Sequence, residues 1–131
     1  MTTLRVLLPI PPSLNHLYRN VPGRGRVVTE DYRMWRELAG WAGAPWPRLA
    51  DDPRNRLGWA VVIEARGLGH HRDLDNICKP VLDLIVTHTG LRDNYCNSVE
   101  LTRGPLLSTE TVPYLAVRVG IDDTAADSEA A

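Results

Sequence analysis

Hydrophobic and polar residues alternate with a period of two in several stretches of the chain, and recur at helical spacing in two others. From Thr3 to Pro9, the residues Leu4, Val6 and Leu8 fall on one side of an extended backbone. Proline has no N–H to give to a strand ladder, so Pro9 ends that run. Leu57 to Arg66 is the strongest strand, with Trp59, Val61, Ile63 and Ala65 alternating with Ala60, Val62 and Glu64. A short strand is expected over Ser98 to Arg103, broken by Gly104-Pro105. A last one is expected over Val112 to Ile121, where Leu115, Val117 and Val119 share a face.

Two helices separate these strands. Thr29 is a good N-cap, Glu30 and Asp31 suit the positive end of the helix dipole, and the helix runs to about Trp41. Its apolar face is Tyr32, Trp35, Leu38 and Ala39. The second helix is predicted from about Asn76 to about Thr87, with Ile77, Val81, Leu84 and Ile85 as its apolar stripe, and Gly90 ends it. Pro11 to His16 is a rigid connector, Arg19 to Val28 a basic loop, and Gly40 to Pro53 a proline-rich loop holding Trp41 and Trp46 against the body. Trp46 is open to either of two uses, loop anchor or subunit contact. The order β-α-β-α-β-β implies an α+β (mixed α/β) fold, one small sheet of about four strands with two helices packed on it.

The length of 131 residues suits one domain, and 44% hydrophobic with 24% charged residues is ordinary for a globular protein. No apolar run approaches a membrane span, and no segment has the pattern of a signal peptide. Cys78 and Cys96 lack the spacing of a disulfide framework, so free thiols in a reducing cytoplasm are expected. The formal charge is −1, but it is unevenly spread. Four of the sixteen acidic residues lie in residues 122–131, a tail without core-forming side chains that is expected to be disordered; residues 1–121 keep fifteen basic and twelve acidic groups, a net of +3. That balance permits nucleic-acid binding without requiring it.

The densest chemistry lies in Gly69-His70-His71-Arg72-Asp73-Leu74-Asp75-Asn76-Ile77-Cys78-Lys79-Pro80-Val81-Leu82-Asp83. On an extended segment Asp73 and Asp75 point to one side and Leu74 to the other. Two adjacent carboxylates repel unless a cation sits between them, and a hard divalent ion, Mg²⁺ foremost, resolves the conflict. Asp75, Lys79 and Asp83 recur every four residues along one helical stripe. The plain alternative is a helix cap with a solvated surface bridge. One compositional fact weighs against it: the chain has fourteen arginines and a single lysine, at position 79, where a compact ammonium replaces the otherwise universal guanidinium.

The run Arg72-Asp73-Leu74-Asp75-Asn76, followed by Lys79 and Val81-Leu82-Asp83, resembles the signature of the RusA-type Holliday junction resolvases. That family comprises small, homodimeric, Mg²⁺-dependent endonucleases common in phages and prophages. Pro11-Pro12-Ser13-x-Asn15 and Gly90-Leu91-Arg92-Asp93-Asn94-Tyr95 resemble its flanking elements in the same order, so the similarity spans residues 4–119. The resemblance implies that Asp73, Asp75 and Asp93 are metal-binding carboxylates, that Lys79 is catalytic beside them, and that Mn²⁺ substitutes for Mg²⁺. It implies a homodimer acting on branched DNA in the cytoplasm of a bacterial or phage-infected cell. Asp83 matches a family position as well. Arg92 stands where the family usually has the first aspartate of a pair, which leaves Asp93 alone in that element. Gly-His-His precedes Arg72 in place of a basic run, so DNA contact there is expected to vary with pH. Candidate DNA contacts are Arg19, Arg24, Arg26, Arg72, Asn15 and His71.

Two other classes compete. One is a non-catalytic module of the same fold that binds junction DNA or a protein. The other is a zinc hydrolase using His70, His71 and Asp73, disfavoured because adjacent histidines on an extended segment diverge and no distant Cys or His set completes a tetrahedron.

Overall fold

In a computed structural model, residues 3–52 and 58–121 are described; the acidic tail, residues 122–131, lies outside them. Strand β1 (Leu4–Pro9) is followed by a hairpin of β2 (Tyr18–Val21) and β3 (Gly25–Val28), then helix α1 (Glu30–Gly43). Strand β4 (Trp59–Arg66), helix α2 (Cys78–Thr89), β5 (Cys96–Gly104) and β6 (Tyr114–Ile121) complete the chain. Four strands form one sheet in the order β1-β6-β4-β5, with β4 and β5 parallel and the other pairs antiparallel. The fold is α+β, as the order of elements implied.

Register explains where the core sits. Leu4, Val119, Val61 and Val99 stand side by side across the sheet, as do Val6, Val117, Ile63 and Leu101. Residues opposite one another share a face, and this face is the buried one: Trp59, Val61, Ile63, Ala65, Leu115, Val117 and Val119 have almost no exposure. Both helices supply its cover. Tyr32, Trp35 and Ala39 are buried on α1, and Pro80, Val81, Leu84 and Ile85 on α2. The Trp35 indole also donates to the Pro9 carbonyl at 2.8 Å, pinning α1 to the end of β1.

The helix ends follow local chemistry. The Thr29 hydroxyl accepts from the Tyr32 amide at 3.2 Å, an N-cap as expected, with Glu30 and Asp31 in the first turn. Gly90 closes α2 in the left-handed region (φ +78°), which a side chain disfavours, and its amide bonds to Val86 at 3.1 Å. Cys78 and Cys96 are free. No helix among the described residues is long and apolar enough to cross a membrane.

Four expectations are corrected. Residues Arg19 to Val28 are a hairpin, not a loop: Arg19 pairs with Val27 and Asn20 with Arg26, around a turn closed by the Arg24 amide on the Val21 carbonyl. Its strands are only four residues long, and arginines replace the apolar alternation that marks a strand. Helix α1 continues past Trp41, which is 80% exposed and not held against the body. Leu38, 60% exposed, lies off the buried stripe of that helix. Finally, Leu74–Ile77 is a 3₁₀ turn leading into α2, so the α-helix itself begins at Cys78 and not at about Asn76. Of the two tryptophans placed in the proline-rich loop, Trp46 is anchored, its indole donating to the Gly40 carbonyl at 2.7 Å and stacking on His88.

Candidate metal and nucleic-acid site

Strand β4 ends at Arg66, and residues 67–73 cross from the sheet to the start of α2. This crossing is braced from beneath. Arg103 lies opposite Ala65, next to last in β5. From there its guanidinium donates to the carbonyls of Leu68 (3.3 Å), Gly69 (2.7 Å) and Arg72 (2.8 Å). Several donors in one rigid fork suit a run of neighbouring carbonyls. Arg72 in turn donates to the Pro11 carbonyl at 2.9 Å, joining the crossing to the Pro11–Asn15 connector. Arg72 is half-buried and acts as a strut between the two segments.

On this braced turn Asp73 and Asp75 are exposed, while Leu74 packs against the core and Ile77 is buried. Leu74–Ile77 is a 3₁₀ turn, not the extended segment from which a period-two alternation is expected, although both carboxylates are exposed. Asp73 occupies the N-cap position but its side chain makes no cap hydrogen bond. Neither carboxylate has an ion-pair or hydrogen-bond partner among the described residues. These are hard oxygen donors left uncommitted at the protein surface. Mg²⁺ is ordinarily held by one or two carboxylates together with waters and substrate phosphates, and Asp73 with Asp75 fits that donor set.

Lys79 pairs with Asp83, not with Asp75: Nζ lies 3.2 Å from Oδ2, one helical turn on. The hydrogen bond to Asp83 holds the lysine pKa above its ordinary value, with that carboxylate's charge adding to it. Asp93 stands apart from the other two predicted metal ligands. It lies in a 3₁₀ turn (Asp93–Tyr95) beyond the C-terminal end of α2, whereas Asp73 and Asp75 precede its N-terminal end. There it borders a cleft between α1 and α2 together with Asp83, Tyr32 and Arg36. Among the described residues no three His, Cys, Asp or Glu side chains converge closely enough to hold an ion. Neither Asp73, Asp75 and Asp93 of one chain nor His70, His71 and Asp73 are brought together as a group of three among the described residues.

The basic residues of the hairpin are better gathered. Asn15, Tyr18, Arg19 and Arg26 line a shallow depression beside the Pro11–Asn15 connector. The Arg26 guanidinium rests 4.4 Å from the Tyr18 ring centroid. Arg24 is exposed on the hairpin turn, and His70 and His71 are exposed on the turn before Arg72.

Sequence reasoning missed Arg103, Tyr32 and Arg36. A signal existed for the first: an arginine at an inward-facing position of a strand must reach some polar group. The Tyr32 hydroxyl is buried with no well-aligned hydrogen-bond partner among the described residues, and burial raises its pKa against the opposing pull of the neighbouring Arg36 guanidinium. The Arg36 guanidinium lies over its ring, 4.2 Å from the centroid. No periodicity distinguishes such a tyrosine from any core aromatic.

No protein-family model matches the chain, and no curated protein matches it.

Proposed function

We propose that this protein is a Mg²⁺-dependent, structure-specific DNA endonuclease that resolves four-way junctions by paired symmetric nicks. The observation that carries the proposal is the pair of exposed carboxylates, Asp73 and Asp75, without a partner among the described residues, on a turn braced by Arg103 and tied through Arg72 to the Pro11–Asn15 connector. Two segments that resemble nuclease elements in the sequence, sixty residues apart, are thereby neighbours. The connector leads into a hairpin whose arginines offer phosphate contacts.

In this reading Asp73 and Asp75 hold the ion, which supplies an activated water and a counter-charge for the scissile phosphate. Lys79, cationic throughout the neutral range, stabilises charge developing on that phosphate, and Asp83 positions its ammonium. Arg19, Arg24 and Arg26 steady the flanking backbone. A junction has two-fold symmetry, and a C₂ homodimer offers two such sites in matching orientation.

A second reading has support of its own. Asp93 lies away from Asp73 and Asp75, and Lys79 is engaged by Asp83, as suits a module that binds branched DNA without cutting it. One assay separates the two: a synthetic four-way junction and a linear duplex are incubated with the protein across Mg²⁺ and Mn²⁺ concentrations. Selective nicking of the junction supports the endonuclease. Junction binding without nicking at any metal concentration supports the module, and indifference to both DNAs overturns both.

A further inference from the structure

Both helices bury their stripes against the inner face of the sheet, and the outward positions of β1, β4 and β6 stay partly or fully accessible. Register lays Arg5, Arg118, Val62 and Glu100 in one row across this outer face, from β1 to β5. Arg5 and Arg118 stand directly opposite one another, a like-charge pairing that costs stability. Both are exposed, and neither makes an ion pair among the described residues. Glu100, exposed at the far edge of the same row, makes none either. Glu64, in contrast, is held by Arg66 at 2.7 Å. The row thus reads cation, cation, apolar, anion.

The surface around that row is low and partly apolar. Ala60 and Gly120 are neighbours on one side of it, and Leu7 and Ala116 on the other. Leu7 is 63% exposed, an aliphatic side chain with nothing over it among the described residues. Four strands about 4.8 Å apart, with β4 eight residues long at about 3.3 Å each, give a face of roughly 500 Å² in plan. Its pleated accessible surface is larger, on the scale of the roughly 800 Å² per partner that a stable dimer buries.

We infer that a second copy of this chain docks here, sheet against sheet, about a two-fold axis parallel to the strands and midway between β6 and β4. That axis stacks β1 over the partner's β5 within the same row. Arg5, with Arg118 beside it, then meets the partner subunit's Glu100, and by symmetry Glu100 meets the partner's Arg5. Gly120 faces the partner's Ala60, which lets the two sheets approach closely. An axis perpendicular to the strands would instead stack β1 on β1, cations against cations, and the charges reject it.

The inference rests on the C₂ endonuclease reading above and gives its symmetry axis a direction. Pro9, Tyr114 and Arg66 share one end of the sheet. The Pro11–Asn15 connector and the turn carrying Asp73 and Asp75 both leave from that end. A strand-parallel axis presents the two copies of that turn on the same side of the dimer, as paired nicks in one junction require. A perpendicular axis would send them to opposite ends.

Sedimentation of the full-length protein tests the interface without reference to cleavage. The parent is expected to be a dimer at micromolar concentration. Arg5→Glu and Glu100→Arg should each weaken dimerisation by roughly tenfold or more, because each sets like charges face to face. An equimolar mixture of the two variants should regain the parental mass, since every contact in the mixed dimer again pairs opposite charges. Cooperative thermal unfolding of each variant separates loss of the interface from loss of the fold. A parent that stays monomeric, or single variants that keep the parental mass, overturns the proposal. So does Arg5→Glu protein that remains dimeric but binds duplex DNA less tightly, which would make this face a DNA surface. A monomer that nicks four-way junctions sinks the sheet-to-sheet dimer and spares the endonuclease. Dimers that follow the charge pattern but ignore junctions support the interface and sink the branched-DNA reading.

Discussion

The guanidinium of Arg72 donates a 2.9 Å hydrogen bond to the carbonyl of Pro11, sixty-one residues earlier in the chain. That contact joins the two polar segments on which the functional reading depends. It does so through a side chain that a motif-based view would assign to DNA. Arg72 is half-buried, its Nε is covered without a partner among the described residues, and it holds the connector against the turn that carries Asp73 and Asp75.

The other half of that brace is Arg103. Arg103→Ala strips the donors from three carbonyls of the crossing, which then depend on water. Loss of charge-assisted hydrogen bonds from a half-buried group should lower stability by about 1.5–3 kcal/mol. Chemical denaturation measures this directly. A midpoint unchanged from the parent would show that the crossing holds its shape without Arg103.

Asp75→Asn removes one negative charge from the proposed ion-binding pair and leaves Arg19, Arg24 and Arg26 untouched. Cleavage of a four-way junction should be lost while binding in a gel-shift assay is retained. Nicking at the parental rate by this variant would refute the role given to Asp73 and Asp75.

Lys79→Arg keeps the charge but replaces a compact ammonium with a planar fork. A loss of nicking on the order of 10²-fold is expected for a positioned catalytic group; near-normal rates would leave Lys79 as a surface bridge to Asp83. The pH dependence follows from the sign of the shift. Asp83 raises the lysine pKa in the folded state, so the stabilisation from the bridge is complete below the unfolded lysine value, about 10.4, and fades as pH rises through the folded one. Lys79 and Asp83 side chains are 56% and 42% exposed, so the amount is small. A double-mutant cycle in thermal unfolding should therefore give a weak, constant coupling through neutral pH that vanishes only in strong alkali.

Tyr32→Phe deletes a buried hydroxyl that has no well-aligned hydrogen-bond partner among the described residues, only the nearby Arg36 guanidinium. In the absence of DNA it should stabilise the fold by up to about 1 kcal/mol, a rise in Tm of roughly 3–5 °C. Differential scanning calorimetry of the free protein checks it, and a fall in Tm would show that the hydroxyl is bonded in solution.

Most of the secondary structure was legible in the residue pattern because period and capping are local properties. Trp59, Val61, Ile63 and Ala65 alternate, and all are buried; Thr29 and Gly90 stand at the helix ends where the side-chain chemistry put them. The hairpin from Tyr18 to Val28 escaped because its four-residue strands bury almost nothing, leaving no alternation to detect. Trp41 and Leu38 misled for the converse reason: apolar residues need not find a neighbour, and here they face away from the sheet.

By itself, the sequence determined the core-facing stripes and the caps, since each follows from spacing over a few residues. Tertiary structure alone decided which distant groups meet. It set Arg103 under the crossing through the β4–β5 register, turned Arg72 toward Pro11, and gave Lys79 to Asp83. It also set Asp93 on the cleft that Tyr32 lines, at the opposite end of α2 from Asp73 and Asp75. Pairings between remote segments depend on register and helix length together, and no short window of residues contains both.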